Sequence, residues 1–209
     1  MLTTQFIPAA EPSSRRLMIV LHGLGDTLEG WLWLPQALQL PWLSFLLVNA
    51  PEPYYGGFSW FDIDSGAGIA ESRRMLFELL DGLKEFPAAQ IVFSGFSQGC
   101  LMSIEVGARY PRLLAGIVGI SGFVHEPEKL IRELSPVARQ QRFLLTHGTQ
   151  DTLLPIQGTR KQVELLKQAG LNIEWREFVK AHNVAGEAEL AVIHRFIREC
   201  YGETRTNEG

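Results

Sequence analysis

Five short apolar runs recur along this chain, and each ends at glycine or a small polar residue. They are residues 17–21 before His22-Gly23, 45–48 before Asn49, 91–93 before a glycine-rich turn, 116–120 before Ser121-Gly122, and 143–145 before His147-Gly148. Unbroken runs of this length suit strands buried on both faces, as in a parallel sheet. A sixth segment, 173–178, alternates apolar and polar residues and reads as an edge strand with one wet face. Helical patterns fill the gaps. Residues 69–86 place Ile69, Leu76, Leu79, Leu80, Leu83 and Phe86 on one stripe, and Pro87 follows. Residues 101–110 stop before Pro111. Residues 155–169 have Pro155 at the first position and Gly170 as the stop. Residues 185–201 put Ala188, Ala191, Val192, Phe196 and Cys200 on one face. In a chain of 209 residues this alternation predicts one α/β domain over 1–201. A mostly parallel central sheet would be flanked by helices, without a cap domain, and a polar tail at 202–209 would fray. Ligands would bind at the carboxyl ends of the strands.

The run at 91–93 leads into Gly95-Phe96-Ser97-Gln98-Gly99, and a helical pattern follows. Strand, G-x-S-x-G and helix in that order form a nucleophile elbow. The serine sits on a strained turn, and side chains two places before and after it would collide as the chain doubles back. Glycine at 95 and 99 removes them. A serine hydroxyl is a poor nucleophile without an adjacent base, and the base needs an orienting acid. Chain order on this kind of scaffold is Ser, acid, His. Ser97, Asp151 and His182 occur in that order, Asp151 after a buried strand and His182 between the last strand and the last helix. Asp26, Asp62 and Asp64 are rival acids, but Asp151 alone lies between Ser97 and His182 at a strand's end. Among the other histidines, His22 reads as a brace for its loop, His147 as structural, His125 as a surface-loop residue, and His194 as half-exposed in the last helix.

Composition narrows the function classes. A formal net charge of −4 leaves no basic footprint for nucleic acid. No apolar stretch is long enough to span a bilayer, because the one across residues 38–48 is broken by Pro41. The first residues show no charged-then-apolar secretory pattern, which favours the cytoplasm. Cys100 and Cys200 have no metal-ligand spacing and read as reduced packing residues. No cluster calls for a metal, so neither metal nor cofactor is expected. The aromatic, Pro- and Gly-rich segment 49–68 is either a packed loop or an apolar pocket wall, with Trp60 and Phe61 its central residues. Leu28, Trp31, Leu153 and Leu154 are further pocket candidates. Trp33 and Trp42 mark either core or the face of a homodimer.

The segments Leu21-His22-Gly23-Leu24-Gly25-Asp26-Thr27, Ser59-Trp60-Phe61-Asp62-Ile63, Gly95-Phe96-Ser97-Gln98-Gly99 and His147-Gly148-Thr149-Gln150-Asp151, with Pro155 four residues on, jointly resemble the phospholipase/carboxylesterase family of α/β-hydrolases. That family includes acyl-protein thioesterases and small bacterial carboxylesterases. The resemblance runs from about residue 17 to 197. It implies Ser97 as nucleophile, His182 as general base, Asp151 as orienting acid, and an oxyanion hole from the backbone N–H groups of Leu24 and Gln98. It also implies a serine carboxylesterase acting on a small acyl ester, thioester or lipid-like substrate. One departure is that the family's catalytic histidine follows glycine, whereas Ala181 precedes His182 here. Other readings on the same scaffold are a lysophospholipase-type enzyme, an acyltransferase or peptidase, and a non-catalytic binding protein.

Overall fold

The computed structural model describes residues 1–203. In chain order it runs β1 (Thr4–Ile7), β2 (Arg16–Leu21), α1 (Leu34–Leu38), β3 (Leu43–Val48), β4 (Glu52–Tyr54), β5 (Gly57–Ser59), α2 (Ile69–Gly82), β6 (Ile91–Phe96) and α3 (Gln98–Arg109). It continues β7 (Gly116–Ile120), α4 (Pro127–Arg132), β8 (Arg142–Gly148), α5 (Ile156–Gln168), β9 (Asn172–Phe178) and α6 (Glu187–Cys200). Seven strands form the central sheet in the order β1-β3-β2-β6-β7-β8-β9, with every pair parallel except β1 with β3.

The unbroken apolar runs follow from burial on both faces. In β2, Leu17, Ile19 and Leu21 feed the core shared with α2, α3 and α5, while Met18 and Val20 feed the core under α1 and α6. In β6, Ile91 and Phe93 take the first side and Val92 the second. A strand with helices on both sides has no wet face to carry polar residues. β9 is an edge, as its alternation predicts, with Ile173 buried and Arg176 and Glu177 exposed.

Several expected elements differ. β1 was not anticipated: it is short, mostly exposed, and pairs through its backbone, Thr4 opposite Val48. Segment 49–68 contains a hairpin of β4 and β5, turned by Tyr55 at φ 42° and Gly56 at φ 90°. Two successive positive φ values are the mark of a type I′ turn. The short α1 and α4 were also unread. α2 ends at Gly82, four residues before the predicted end at 86. Pro155 caps α5 rather than opening it. α6 presents Glu189, Ile193, Phe196 and Ile197 to the interior, and Ala188 and Ala191 are exposed. A buried carboxylate had concealed that face.

Trp42 packs edge-on against Tyr201 at 5.3 Å beneath the Arg16 guanidinium, and Trp33 is half-exposed beside Trp31. Of the expected tail, Gly202 and Glu203 donate backbone N–H groups to Glu199 and Arg198, and Glu203 pairs with Arg16. Residues 204–209 lie outside the described residues. Among the described residues, no helix is long and apolar enough to cross a membrane.

Candidate active site

Ser97 stands between β6 and α3 at φ 54°, ψ −114°. Only a few per cent of non-glycine residues take positive φ, so the surroundings must hold it there. A Cβ on Gly95 would lie 2.2 Å from the Gly99 carbonyl oxygen, and one on Gly99 would lie 2.4 Å from that of Leu21. Neither contact is tolerable, so the elbow closes only with glycine at both positions. The Ser97 N–H is fixed to the Ile120 carbonyl at the end of β7.

The loops after β8 and β9 bring the other two residues to Ser97. His182 Nε2 lies 2.9 Å from Ser97 Oγ, and its Nδ1 lies 2.7 Å from Asp151 Oδ2. The Nδ1–H therefore donates to the carboxylate, and Nε2 is free to accept the serine proton. Asp151 Oδ1 accepts the Leu153 and Leu154 N–H groups at 3.0 and 2.8 Å. Burial pulls the Asp151 carboxyl up, but the Leu154 N–H and the His182 ring outweigh it and hold it below its ordinary value. The two loops are pressed together: a Cβ on Gly148 would meet the Lys180 carbonyl oxygen at 2.4 Å, and Gln150 N–H donates to that same oxygen. Ala181 is not among the residues with positive φ, so its backbone conformation does not call for glycine.

The His182 loop has an anchor that sequence reading missed. Lys180 Nζ bonds both carboxylate oxygens of Glu189 at 2.6 and 2.8 Å, and both side chains are buried. Glu189 also accepts the Ala185 N–H at 2.6 Å. Burial lowers the Lys180 pKa against the pull of Glu189. Removing one partner of a buried pair strands the other charge and costs roughly 3–5 kcal/mol. Lys180→Met is therefore expected to lower unfolding free energy by about that much, and Lys180→Met with Glu189→Leu to recover most of the loss. Denaturant unfolding of both variants checks this; equal loss in the single and double variants would contradict it.

The other histidines are structural. His22 is fully buried: Nδ1 donates to the Gly23 carbonyl at 2.6 Å and Nε2 accepts the Ala50 N–H at 3.0 Å. His147 Nε2 donates to the Leu154 carbonyl at 2.8 Å, and its ring stacks on Trp175. His125 packs against Gly66, whose Cβ would meet the ring at 2.7 Å. Burial lowers the pKa of His22, His147 and His194. Above the ordinary value of about 6.5, folded and unfolded chains are both neutral at these rings. As pH falls through that value the unfolded chain binds protons that the folded one refuses, so stability falls by up to about 1.4 kcal/mol per pH unit for each ring. Asp151 acts in the same sense over a lower window: its carboxylate stabilises fully above the ordinary carboxylate range and loses that effect as pH falls below it. The melting temperature is thus expected to drop between about pH 7 and 5, with a shallower drop in His22→Gln. A flat profile over that interval would contradict it.

Around Ser97 lies a cleft of about 350 Å³ lined by Leu24, Ile63, Phe96, Phe123, Leu153 and Leu154, with Gly23, Asp26, Gln98 and His182. Leu153 and Leu154 are where the sequence suggested. Leu28, Trp60 and Phe61 are not part of this lining. Leu28 is buried in the core with Leu34 and Leu38, and its N–H donates to Asn49 Oδ1. Trp60 and Phe61 are core residues that also line a second hollow of about 550 Å³, which shares Leu24 and Ile63 with the cleft. Trp31 is core as well, packed on Phe96. Ile63, Phe96 and Phe123 were unread as lining. Phe96 carried a signal, since it precedes the serine in the elbow, and Phe123 follows a strand end. A larger hollow of about 700 Å³ between α5 and β9 holds none of these residues.

Leu24 and Gln98 flank the nucleophile. A Cβ on Gly23 would lie 3.3 Å from Ser97 Cβ, so the backbone leading into Leu24 passes beside the serine. Gln98 is the first residue of α3, where N–H groups have no partner within the helix. Among the described residues, neither the Leu24 nor the Gln98 N–H donates to a protein acceptor. No group of three or more His, Cys, Asp or Glu among the described residues is arranged to hold a metal ion.

Comparison with known proteins agrees with this architecture. A family model described as phospholipase/carboxylesterase matches residues 2–201. Acyl-protein thioesterase 1 of Schizosaccharomyces pombe is 32% identical over 204 residues, covering 88% of this chain and 91% of that protein. Acyl-protein thioesterase 1 of Candida albicans is 30% identical over 220 residues, covering 92% of this chain and 95% of that protein. Among solved structures, esterase PE8 matches with a TM-score of 0.85 at 27% identity, covering 95% of this chain and 99% of that one. The Bacillus cereus carboxylesterase shares the fold, with a TM-score of 0.81 at 21% identity over 96% of this chain and 95% of that one.

Proposed function

The chain belongs to the phospholipase/carboxylesterase family, and on that premise we propose that Ser97, His182 and Asp151 are the triad of a serine esterase acting on single acyl chains in ester or thioester linkage. The observation that carries this is the continuous hydrogen-bonded line from Ser97 Oγ through His182 to Asp151, at 2.9 and 2.7 Å. Ser97 Oγ attacks the carbonyl carbon while His182 Nε2 takes its proton. The tetrahedral oxygen accepts hydrogen bonds from the Leu24 and Gln98 N–H groups, each worth roughly 10²–10³ in rate. His182 gives its proton to the departing alcohol or thiol, leaving the acyl group on Ser97. Water then loses a proton to His182 as it attacks the acyl carbon, and Ser97 is restored when the proton returns to its oxygen. Asp151 stays ionised throughout, holding the Nδ1–H tautomer and balancing the imidazolium.

The apolar lining of the Ser97 cleft supports an acyl chain as the bound arm of the substrate. Leu153, 73% exposed, stands at its open rim, so the chain would lie in a groove rather than a closed tunnel. Each buried methylene contributes about 0.8 kcal/mol, or about fourfold in kcat/KM. With p-nitrophenyl esters and acyl thioesters of increasing length, kcat/KM is expected to climb by up to that factor per methylene and then level off where the chain outgrows the cleft. Equal kcat/KM from acetyl to octanoyl would remove the cleft as the acyl site.

A further inference from the structure

Residues Ser59 to Phe61 and the buried His22 have no part in the chemistry above, yet several of their polar atoms bond to Gln98 or to one another. The Gln98 side chain, 1% exposed, accepts the Trp60 N–H at Oε1, 3.0 Å away, and donates from Nε2 to the Phe61 carbonyl at 2.8 Å. The Trp60 indole N–H, also fully buried, donates to the His22 carbonyl at 3.0 Å. His22 in turn donates from Nδ1 to the Gly23 carbonyl. Gln98 and Gly23 are the two ends of this chain of bonds. One end carries the Gln98 N–H, and the other leads directly into the Leu24 N–H. A second tie runs alongside it. Phe58 of β5 accepts from Gly25 and donates to Asp26, at 2.9 and 3.0 Å, and a Cβ on Gly57 would meet the Gly25 carbonyl oxygen at 2.2 Å.

We infer that Gln98, through its side chain, and Trp60 are positioning residues that set the spacing of the two oxyanion donors. This rests on the assignment of Leu24 and Gln98 as those donors. The physical need is specific. Both N–H groups must converge to about 2.7–3.1 Å from one oxygen, but they sit on separate loops, after β2 and after β6. Pairing of those strands fixes the loops at their bases, where Leu21 faces Gly95, and the close approach of Gly99 to the Leu21 and His22 carbonyls fixes the backbone just beyond. The Gln98–Trp60–His22 bridge adds a directional tie between the loops that these contacts do not supply. A bridge built only for packing would need the indole ring and not its N–H, and a methionine would serve as well as the glutamine. A fully satisfied buried polar network instead specifies one geometry.

Trp60→Phe keeps the ring and removes the N–H donor. Gln98→Met keeps the volume and removes all three side-chain bonds, including the one that Ser59 Oγ donates to Oε1 at 3.3 Å. Turnover is measured per fluorophosphonate-reactive site after labelling to completion, so that partial unfolding drops out. KM, inhibition by an alkyl boronic acid as transition-state analogue, inhibition by the free fatty acid product and the melting temperature are measured beside it. Misplacing one oxyanion donor is expected to lower kcat by about 10–100-fold in Gln98→Met, within the cost of losing the donor outright. A smaller fall is expected in Trp60→Phe. KM and product inhibition stay near the wild-type values, and boronic acid inhibition weakens by the same factor as kcat. Wild-type turnover per reactive site in both Gln98→Met and Trp60→Phe, with only the melting temperature lowered, would overturn the inference. The control is Ser97→Ala: if it kept its activity the triad itself would be wrong, whereas an inactive Ser97→Ala beside fully active bridge variants would remove the bridge alone.

Discussion

Ser97→Ala is expected to lower kcat by about 10⁶-fold, the scale on which loss of a serine nucleophile disables a complete triad. The loss should appear in kcat with substrate binding retained, because the Leu24, Ile63, Phe96 and Phe123 walls do not depend on the hydroxyl. Stability should hold or rise slightly. The elbow backbone is held at φ 54° by the Gly95 and Gly99 approaches and by the Ser97 N–H to the Ile120 carbonyl, none of which uses the side chain. Steady-state hydrolysis with an acyl thioester, alongside thermal unfolding, separates the two effects. Retention of more than about one part in 10³ of the activity would point to a nucleophile other than Ser97, since the oxyanion hole and binding alone account for the residual rate over water.

Asp151→Asn should cost about 10⁴-fold in kcat at neutral pH with little change in fold. The reason lies in the two oxygens of Asp151. Oδ1 holds the Leu153 and Leu154 N–H groups and Oδ2 receives the His182 Nδ1–H. An asparagine keeps the first pair by pointing its carbonyl oxygen at the loop. Its amide NH₂ then faces His182 Nδ1, which must become the acceptor. The ring proton moves to Nε2, and the nitrogen 2.9 Å from Ser97 Oγ can no longer take the serine proton. Melting temperature and kcat measured together make the check. A variant that unfolds would place Asp151 chiefly in the loop's structure, and one with wild-type turnover would remove it from the triad.

Much of this site was legible before any coordinates because its logic is local. The elbow needs glycine where a Cβ would strike backbone, and that requirement is written into five consecutive residues. Strand ends are visible where an apolar run meets His22-Gly23, Ser121-Gly122 or His147-Gly148, and the sheet brings those ends to one edge. Chain order then selected Asp151 and His182. Less was legible where the outcome depended on residues far apart in sequence. Trp60 and Phe61 were readable as packed loop or as pocket wall, and both hold: they are buried in the core with a backbone N–H and C=O bound to Gln98, and they line the second hollow rather than the Ser97 cleft. Leu28 was drawn into the core by the Asn49 side chain holding its N–H. Glu189 broke the apolar stripe of α6, since only the fold reveals Lys180 as its partner. β1 pairs through backbone alone, with exposed side chains that carry no apolar pattern.

The most direct test of the central claim is to treat the folded chain with a fluorophosphonate and map the modified peptide by mass spectrometry. One equivalent of label on Ser97, with labelling abolished or greatly slowed in His182→Ala, is the result predicted for a serine activated by that histidine. Folded protein that takes up no label, or takes it up at another residue, would contradict the triad.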